Sequence, residues 1–165
     1  MLGLDPGLRR TGWGIVDQEG NRLTHVANGA LQSDASLSLA ERLVQLRVGL
    51  ERILSDYSPN AAAVEESLSN RNASSTLKLG MARAVALLVP ASAGLPVSEY
   101  LPMVVKKSVV GTGRADKDQV QMMVARLLPG CAPASADAAD ALAVSICHLH
   151  HASSLKEWVQ AGAAP

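Results

Sequence analysis

The order of the strand and helix signals restricts this chain more than any other feature of its sequence. Three strand signals come first: Met1–Asp5, which ends at Pro6-Gly7, then Gly12–Asp17 and Leu23–Leu31, with a turn at Glu19-Gly20-Asn21 between the last two. After them, helical and strand signals alternate. Three antiparallel strands followed by such an alternation predict a mixed sheet flanked by helices, in the α/β class.

The rest of the chain supplies the helices and two further strands. Leucines at helical spacing predict an amphipathic helix from Ser38 to about Asp56, with Ser38 and Glu41 as a capping box. The later predicted elements are a strand at Ala61–Glu65, a helix from Asn72 to about Val89 that Pro90 stops, a strand at Pro96–Tyr100, and helices at Pro102–Val110, Asp116–Leu128 and Ala136 to about His151. We expect one domain over residues 1–152 and a flexible tail over residues 153–165.

The composition argues against several classes of protein. The chain has no Phe and only two Trp and two Tyr, so its core must be aliphatic and platforms for stacking unpaired bases are scarce. No apolar run approaches the roughly 20 residues of a membrane-spanning helix. Cys131 and Cys147 lack the spacing of a zinc site, so we expect unreactive thiols in a reducing cytoplasm.

Charge is unevenly distributed although the formal net charge is zero. Between Ser67 and Arg114 six basic residues stand against one acidic residue: Arg71, Lys78, Arg83, Lys106, Lys107 and Arg114 against Glu99. A basic middle segment beside separate carboxylates suits a bound polyanion such as DNA. The alternative is an ordinary solvated surface of mixed charge.

Four carboxylates are placed where a metal site could form. Asp5 and Glu65 each end an apolar strand, and Asp137 and Asp140 lie three residues apart near the start of a helix, on one face of it. Individually, Asp5 could be a turn former and Asp137 a partner of the helix dipole. Glu66 competes with Glu65, because adjacent side chains of a strand point to opposite faces and only one of the two can face the site.

Four converging carboxylates would repel one another unless cations were bound between them. Oxygen ligands of this kind favour Mg²⁺ or Mn²⁺. Two such ions about 3.5–4 Å apart can clamp a phosphodiester, one activating water and the other stabilising the leaving oxygen. The pattern therefore predicts metal-dependent hydrolysis of phosphodiesters.

Four segments, in this order, share the motifs of one enzyme family. They are Leu4-Asp5-Pro6-Gly7 with Thr11-Gly12-Trp13-Gly14; Val64-Glu65 with Asn72-Ala73, Leu77-Lys78-Leu79-Gly80 and Ala82-Arg83; Val105-Lys106 with Val109-Val110-Gly111, Gly113, Lys117 and Gln119-Val120-Gln121; and Ala136-Asp137-Ala138-Ala139-Asp140-Ala141-Leu142-Ala143. From about residue 2 to 148 the chain resembles the RuvC family of Holliday-junction resolvases. The predicted element order also matches the ribonuclease H-like fold of that family, a mixed five-stranded sheet flanked by helices.

The resemblance implies a cytoplasmic crossover junction endodeoxyribonuclease of DNA recombination and repair. Such an enzyme is a homodimer that binds a four-way DNA junction and makes paired symmetric nicks with two Mg²⁺ per site, for which Mn²⁺ can substitute. The resemblance also implies partnership with a branch-migration complex of the RuvA and RuvB type.

The resemblance also assigns roles to individual residues. It assigns the metal to Asp5, Glu65, Asp137 and Asp140, choosing Glu65 over Glu66, and it makes Lys106 and Lys117 catalytic residues near the scissile phosphates. The DNA contacts that it implies are Leu68, Arg71, Asn72, Lys78, Arg83, Lys106, Lys107, Arg114 and Lys117. Leu68 stands where the family often has Phe, so base stacking at the junction is lost there. His148, about two turns after Asp140, either faces the site or belongs to a polar helix end.

Three other functions compete with this interpretation. A ribonuclease H-type enzyme acting on RNA–DNA hybrids would share the acids, but the closing motif with Lys106 and Lys117 argues against it. An actin-like phosphotransferase would share Asp-x-Gly and Thr-Gly, but such proteins usually contain two domains of this kind, and 165 residues have room for one. A catalytically silent DNA-binding module would not need all four acids.

Overall fold

The computed structural model describes residues 1–66 and 72–160, with side chains as far as residue 152. Leu68 and Arg71 lie outside the described residues. The strands are β1 (Leu2–Asp5), β2 (Arg10–Glu19), β3 (Arg22–Gln32), β4 (Ala62–Glu65) and β5 (Val97–Tyr100). The helices are α1 (Leu39–Tyr57), α2 (Ala73–Ser92), α3 (Pro102–Val110), α4 (Lys117–Leu127) and α5 (Ala136–Gln160).

The five strands form one mixed sheet in the order β3-β2-β1-β4-β5. The β1/β2 and β2/β3 pairs are antiparallel, whereas the β1/β4 and β4/β5 pairs are parallel. Helix α1 connects the meander to β4, and α2 connects β4 to β5, so both parallel connections are helical crossovers. The predicted mixed sheet flanked by helices is confirmed.

Each face of the sheet carries its own aliphatic core. On one face, Leu2, Leu4, Ala62 and Val64 pack with residues of α1 and α2. On the other face, Met1, Val16 and Ala63 pack with residues of α3, α4 and α5. Because side chains alternate along a strand, β1 and β4 present their odd-numbered residues to the α5 face. Asp5 and Glu65 are odd-numbered, so both belong to this face.

Several element boundaries test the sequence predictions closely. The predicted capping box is present, with the Ser38 side chain accepting from the Glu41 amide and the Glu41 carboxylate accepting from the Ser38 amide. The prediction that Pro90 stops α2 is wrong, because the helix includes Pro90 and ends at Ser92. Proline mainly costs a hydrogen bond to the preceding turn. So close to a helix end, only one such bond is lost before the chain leaves the helix.

The final helix is longer than its sequence pattern indicates. The prediction of an end near His151 is wrong, because α5 continues to Gln160. Once a helix is formed, each further residue adds a hydrogen bond at little cost, so a helix can extend past its last apolar contact. The division into a domain of residues 1–152 and a flexible tail stays a prediction. Within the described residues, no helix is both long and apolar enough to cross a lipid bilayer.

Candidate active site

Asp5 and Glu65 lie side by side because their strands are adjacent and parallel. Strands β1 and β4 pair with Leu4 opposite Val64, and each strand ends one residue later, at an acid. Both acids are partly buried, whereas the residues before them are fully buried. The carboxyl ends of two central strands therefore present two carboxylates on the face that α5 covers.

Helix α5 approaches the sheet closely because glycines line the contact. A Cβ atom added to Gly3 would lie well under 3.0 Å from the Ala141 carbonyl oxygen, and one added to Gly12 would lie equally close to the Asp137 carbonyl oxygen. The buried Ser145 hydroxyl donates to the Gly14 carbonyl at 2.9 Å. Only residues without a side chain permit this approach. It brings the first turn of α5 over the end of β1.

The start of α5 carries the remaining two acids to Asp5. The Ser135 hydroxyl accepts a hydrogen bond from the Ala138 amide at 3.1 Å, which caps the first turn. Asp137 and Asp140 follow on the same helix face, and both are partly buried. The structure thus brings together all four acids that the sequence predicts as a metal site.

The pKa values show how strongly these acids affect one another. Burial, and then the charges of Glu65, Asp140 and Asp137, raise the pKa of Asp5 to about 8, which the Lys117 charge only partly opposes. Burial, and then the charge of Asp140, raise the pKa of Glu65 to about 7, against the opposing charges of Lys117 and Lys106. Strongly raised carboxyl pKa values at a partly buried site indicate that positive charge is lacking there.

Two lysines lie beside the acids, as the sequence predicts. The Lys117 ammonium donates to Asp140 Oδ2 at 2.9 Å, and this hydrogen bond, followed by the charge of Asp140, raises the pKa of Lys117. Lys117 is the first residue of α4, and a capping box between Asp116 and Gln119 fixes that helix start. Lys106, on α3, is close enough for its charge to lower the pKa of Glu65.

Glu66 points away from this group. Its carboxylate lies 3.9 Å from the guanidinium of Arg83, which also forms an ion pair with Glu99. Glu65 and Glu66 therefore have different surroundings: one faces the acids and the two lysines, and the other an arginine on α2. Arg83, a predicted DNA contact, is engaged in this ion-pair network.

The other predicted DNA contacts are spread over the surface. Asn72 caps α2, since its side chain accepts from the Ser74 amide at 2.9 Å, and Lys78 is exposed on the same helix. Lys107 and Arg114 are exposed and line a cavity of about 970 Å³ between α3 and residues His150 and His151 of α5. The structure does not gather these side chains into one cluster with the acids.

The four acids fit a divalent metal centre by their chemistry. They offer only carboxylate oxygens, the ligands that Mg²⁺ and Mn²⁺ prefer. Burial first, and then their mutual repulsion, raise the pKa values of Asp5 and Glu65, and bound cations would neutralise the negative charge that remains unbalanced there. Within the described part of the chain, no three His, Cys, Asp or Glu side chains are already arranged as a metal-ligand group. The carboxylates would therefore have to turn inward on binding.

Comparison with known proteins decides the family. The family model described as "Crossover junction endodeoxyribonuclease RuvC" matches residues 1–148. The chain belongs to the RuvC family. A family member from Paramagnetospirillum magneticum is 66% identical over 151 residues, which cover 92% of this chain and 91% of that protein. The sequence-based prediction of the family, a family of endonucleases, is therefore confirmed.

Solved structures agree with this assignment. The structure titled "T. thermophilus RuvC in complex with Holliday junction substrate" aligns with a TM-score of 0.85 and 30% identity, over 93% of this chain and 94% of that one. The yeast mitochondrial Holliday junction resolvase Ydc2 aligns with a TM-score of 0.71 at 11% identity, over 95% of this chain and 80% of that one, which supports the shared fold alone. The predicted ribonuclease H-like fold is confirmed.

Two further findings concern residues near the site of this RuvC-family chain. His148 is away from the acids: its Nδ1 is hydrogen-bonded to the Tyr100 hydroxyl at 3.1 Å, and burial, followed by the charge of the nearby chain N-terminus, lowers its pKa. Sequence analysis also missed Arg9 and Arg10, which line a cavity with Asp137. Their position between Gly7 and Thr11, inside the first of the four matching segments, was the signal that could have identified them.

Proposed function

We propose that this chain is a crossover junction endodeoxyribonuclease that cleaves four-way DNA junctions at the Asp5, Glu65, Asp137 and Asp140 centre. The observation that carries the proposal is the meeting of these acids, from β1, β4 and α5, in a chain of the RuvC family. The T. thermophilus relative whose title names a Holliday junction substrate supports the choice of DNA.

The acids would hold two divalent ions, with Mg²⁺ as the first choice and Mn²⁺ as a substitute. When bound, the ions would supply an activated water and stabilise the leaving oxygen of the phosphodiester. Asp5 lies between Glu65 and the α5 acids, and its pKa responds to all three, so it is the natural shared ligand. Asp140 would have to exchange its hydrogen bond with Lys117 for a metal contact.

The two lysines would act on the phosphate backbone. The Lys117 side chain is 70% exposed although it contacts the largely buried Asp140, so it can swing toward a bound phosphate without breaking any packing. Lys106 sits on the Glu65 side of the group. Together they would hold the scissile phosphate in place and offset its negative charge beside the acids.

The remaining predicted DNA contacts differ in how free their side chains are to reach a phosphate. Lys78, Lys107 and Arg114 are exposed and available to phosphates. Asn72 caps α2, and Arg83 would have to leave Glu99 before it could contact DNA. Leu68 and Arg71, outside the described residues, keep the DNA-contact roles that the resemblance implies.

Helix α2 supports the proposal of a homodimer. Leu77, Met81, Ala84 and Leu88 recur on one side of this helix, and all four are exposed. The side chains of Leu77 and Leu88 are 66% and 64% exposed, although leucine is usually buried. A second copy of the chain packed on this stripe would bury it and give two active sites, as paired symmetric nicks require. Cytoplasmic location and a branch-migration complex of the RuvA and RuvB type remain part of the proposal.

Cleavage of three substrates side by side tests the function. Four-way junction, linear duplex and RNA–DNA hybrid are incubated with the protein in Mg²⁺, in Mn²⁺ and in EDTA. We expect paired nicks in the junction alone, with either metal and not in EDTA. Equal cleavage of the linear duplex or of the hybrid would contradict the proposal, and ATP turnover by the same preparation would favour a phosphotransferase.

Adjacent glutamates provide a matched pair of variants for the site. Asp5→Asn and Glu65→Gln should abolish cleavage and leave junction binding intact, because these acids hold metal rather than DNA. Glu66→Gln changes the neighbouring carboxylate, which faces Arg83, and should cleave at nearly the normal rate. A normal rate for Glu65→Gln together with a loss for Glu66→Gln would reverse the assignment.

A further inference from the structure

The loop between β1 and β2 is held rigidly beside the acids. The Thr11 hydroxyl donates to the Gly7 carbonyl at 2.9 Å, which closes the loop at its base. On the outer side, the Ser33 hydroxyl donates to the Leu8 carbonyl, and Arg42 Nε donates to Ser33 Oγ at 2.9 Å. These hydrogen bonds, from within the loop and from Ser33 and Arg42 outside it, hold the loop backbone in place.

Two arginines stand here: Arg9, in this braced loop, and Arg10, the first residue of β2. Both are exposed, and neither makes an ion pair with any residue in the described part of the chain. Arg42, in the same region, differs from them because it donates to Ser33 and is partly buried. The two guanidinium groups are thus available to an external anion.

The position of Arg10 relative to the acids follows from strand geometry. Arg10 and Gly12 are two residues apart on β2, so they share one face of the sheet, and Gly12 is in contact with Asp137. A cavity of about 510 Å³ is lined by Gly7, Leu8, Arg9, Arg10 and Asp137. This open space is therefore bordered by one of the four acids, Asp137, and by two arginines.

The strand order places Arg10 and Lys106 on opposite sides of Asp5. Strand β1, with Asp5, lies between β2, with Arg10, and β4, with Glu65. Lys106 acts on Glu65, so it stands on the β4 side of Asp5. Lys117 is hydrogen-bonded to Asp140 and interacts with Asp5 and Asp137 as well, so it lies over the middle of the group. A DNA strand whose phosphate reaches the acids would extend away from them past cations in both directions.

We propose that Arg9 and Arg10 form a phosphate-binding subsite on the Asp137 side of the active site, for the phosphate next to the scissile one. The proposal rests on the proposed junction nuclease function. Guanidinium groups suit this task because their planar fork donates two hydrogen bonds to phosphate oxygens at once. The subsite would hold the strand on the side of Asp5 away from Lys106.

Binding of a fluorescent four-way junction in EDTA, between 50 and 200 mM salt, measures this subsite separately from cleavage. Each lost phosphate contact should reduce the slope of log affinity against log salt by about 0.9, which is about a 3.5-fold smaller loss of affinity over that range. We expect Arg9→Ala/Arg10→Ala to reduce the slope by one to two contacts. Arg10→Lys should keep most of the slope, since it retains the charge.

Arg22→Ala is the matched control. Arg22 is an exposed arginine at the other end of the β2–β3 hairpin, so its replacement removes one arginine charge far from the acids, half of what the double variant removes. It should leave the slope unchanged. A cleavage titration adds a second measurement: the double alanine variant should need more junction for its half-maximal rate, with little change in the maximal rate.

The outcomes separate this inference from the proposed function. If the wild-type protein cleaves junctions and the double alanine variant keeps the wild-type slope, the arginine subsite is refuted and the nuclease function stands. A loss of slope in Arg22→Ala that equals, per charge removed, the loss in the double variant would also refute it, because the effect would then reflect total charge. If the wild-type protein neither binds nor cleaves junctions preferentially, the proposed function itself fails.

Discussion

Removing the charge of Asp5 should stabilise the metal-free protein, and the gain should grow with pH. Burial and three neighbouring acids raise the pKa of Asp5 from 3.8 to about 8. Between those values the folded chain keeps a proton that the unfolded chain releases. Folding stability therefore falls as pH rises through this window, by about 1.4 kcal/mol per pH unit for one such group. Below about pH 4 and above about pH 8 the dependence on this group disappears.

The size of the effect follows from the window. At pH 6 the solution is 2.2 pH units above the pKa of 3.8 that Asp5 has in the unfolded chain. Keeping the proton on Asp5 therefore costs the folded wild-type protein about 3 kcal/mol. Asparagine cannot ionise and resembles the neutral acid in size, so Asp5→Asn avoids this cost. The raised pKa of Glu65 also lowers folding stability as pH rises from 4.5 to about 7. The stability of Asp5→Asn should therefore still fall with pH, but less steeply than that of the wild-type protein.

Urea denaturation in EDTA at pH 5, 6, 7 and 8 measures the slope directly. The variant should gain stability over the wild-type protein at each step up to about pH 8, whereas Glu19→Gln, which changes an exposed carboxylate at the far end of β2, should not. Adding Mg²⁺ or Mn²⁺ should reverse the order. At a hundred times its dissociation constant, an ion adds about 2.7 kcal/mol to the wild-type protein, and less to the variant.

Two results would refute this reasoning. A wild-type stability that does not change between pH 5 and 8 in EDTA would mean that neither burial nor the neighbouring carboxylates raise the pKa of Asp5 in the folded protein. A variant less stable than the wild-type protein at pH 7 in EDTA would mean that the ionised Asp5 has a favourable partner. Either result would remove the electrostatic argument for bound metal.

Three further predictions concern DNA binding, packing and assembly. Lys106→Ala should weaken junction binding and reduce the salt slope by about 0.9, and an unchanged slope would contradict the phosphate contact. Gly12→Ala should lower the free energy of unfolding by about 1–3 kcal/mol and remove most of the cleavage rate, because the added methyl group meets the Asp137 carbonyl. A variant with wild-type stability in urea denaturation and a wild-type cleavage rate would be inconsistent with that contact. Leu77→Asp should shift the protein to monomer in sedimentation measurements at micromolar concentration, and an unchanged dimer would exclude the α2 stripe as the interface.

The sequence patterns were sufficient to predict the scaffold and, apart from the choice between Glu65 and Glu66, the acids that the structure brings together. Strands that end at Asp5 and Glu65 can be recognised locally, from an apolar run followed by a turn or a loop. The capping box at Ser38 is equally local. The spacing of Asp137 and Asp140 places them on one helix face whatever the surroundings. Such features depend only on residues that are neighbours in sequence, which is why they could be predicted.

Other features depend on contacts between distant segments, and sequence patterns do not contain them. The phase of β4, which points Glu65 and not Glu66 at the acids, is set by the packing of Val64 against α1 and α2. The pairing of Arg83 with Glu99 joins a helix to a strand that follows it in sequence. Arg10 gains its significance only because Gly12, on the same face of β2, touches the start of α5.

The close packing of α5 on the sheet, which brings the four acids together, also destabilises the metal-free protein. Gly3 and Gly12 let α5 lie directly on β1 and β2, and this brings Asp137 and Asp140 to Asp5 and Glu65. Among the described cations, Lys117 alone forms an ion pair with one of these acids, and it is mostly exposed. The free energy that the fold spends on holding like charges together is therefore released when cations bind. Metal affinity and the instability of the metal-free protein follow from the same geometry. A variant that stabilises the metal-free protein by removing one of these charges should therefore bind metal more weakly.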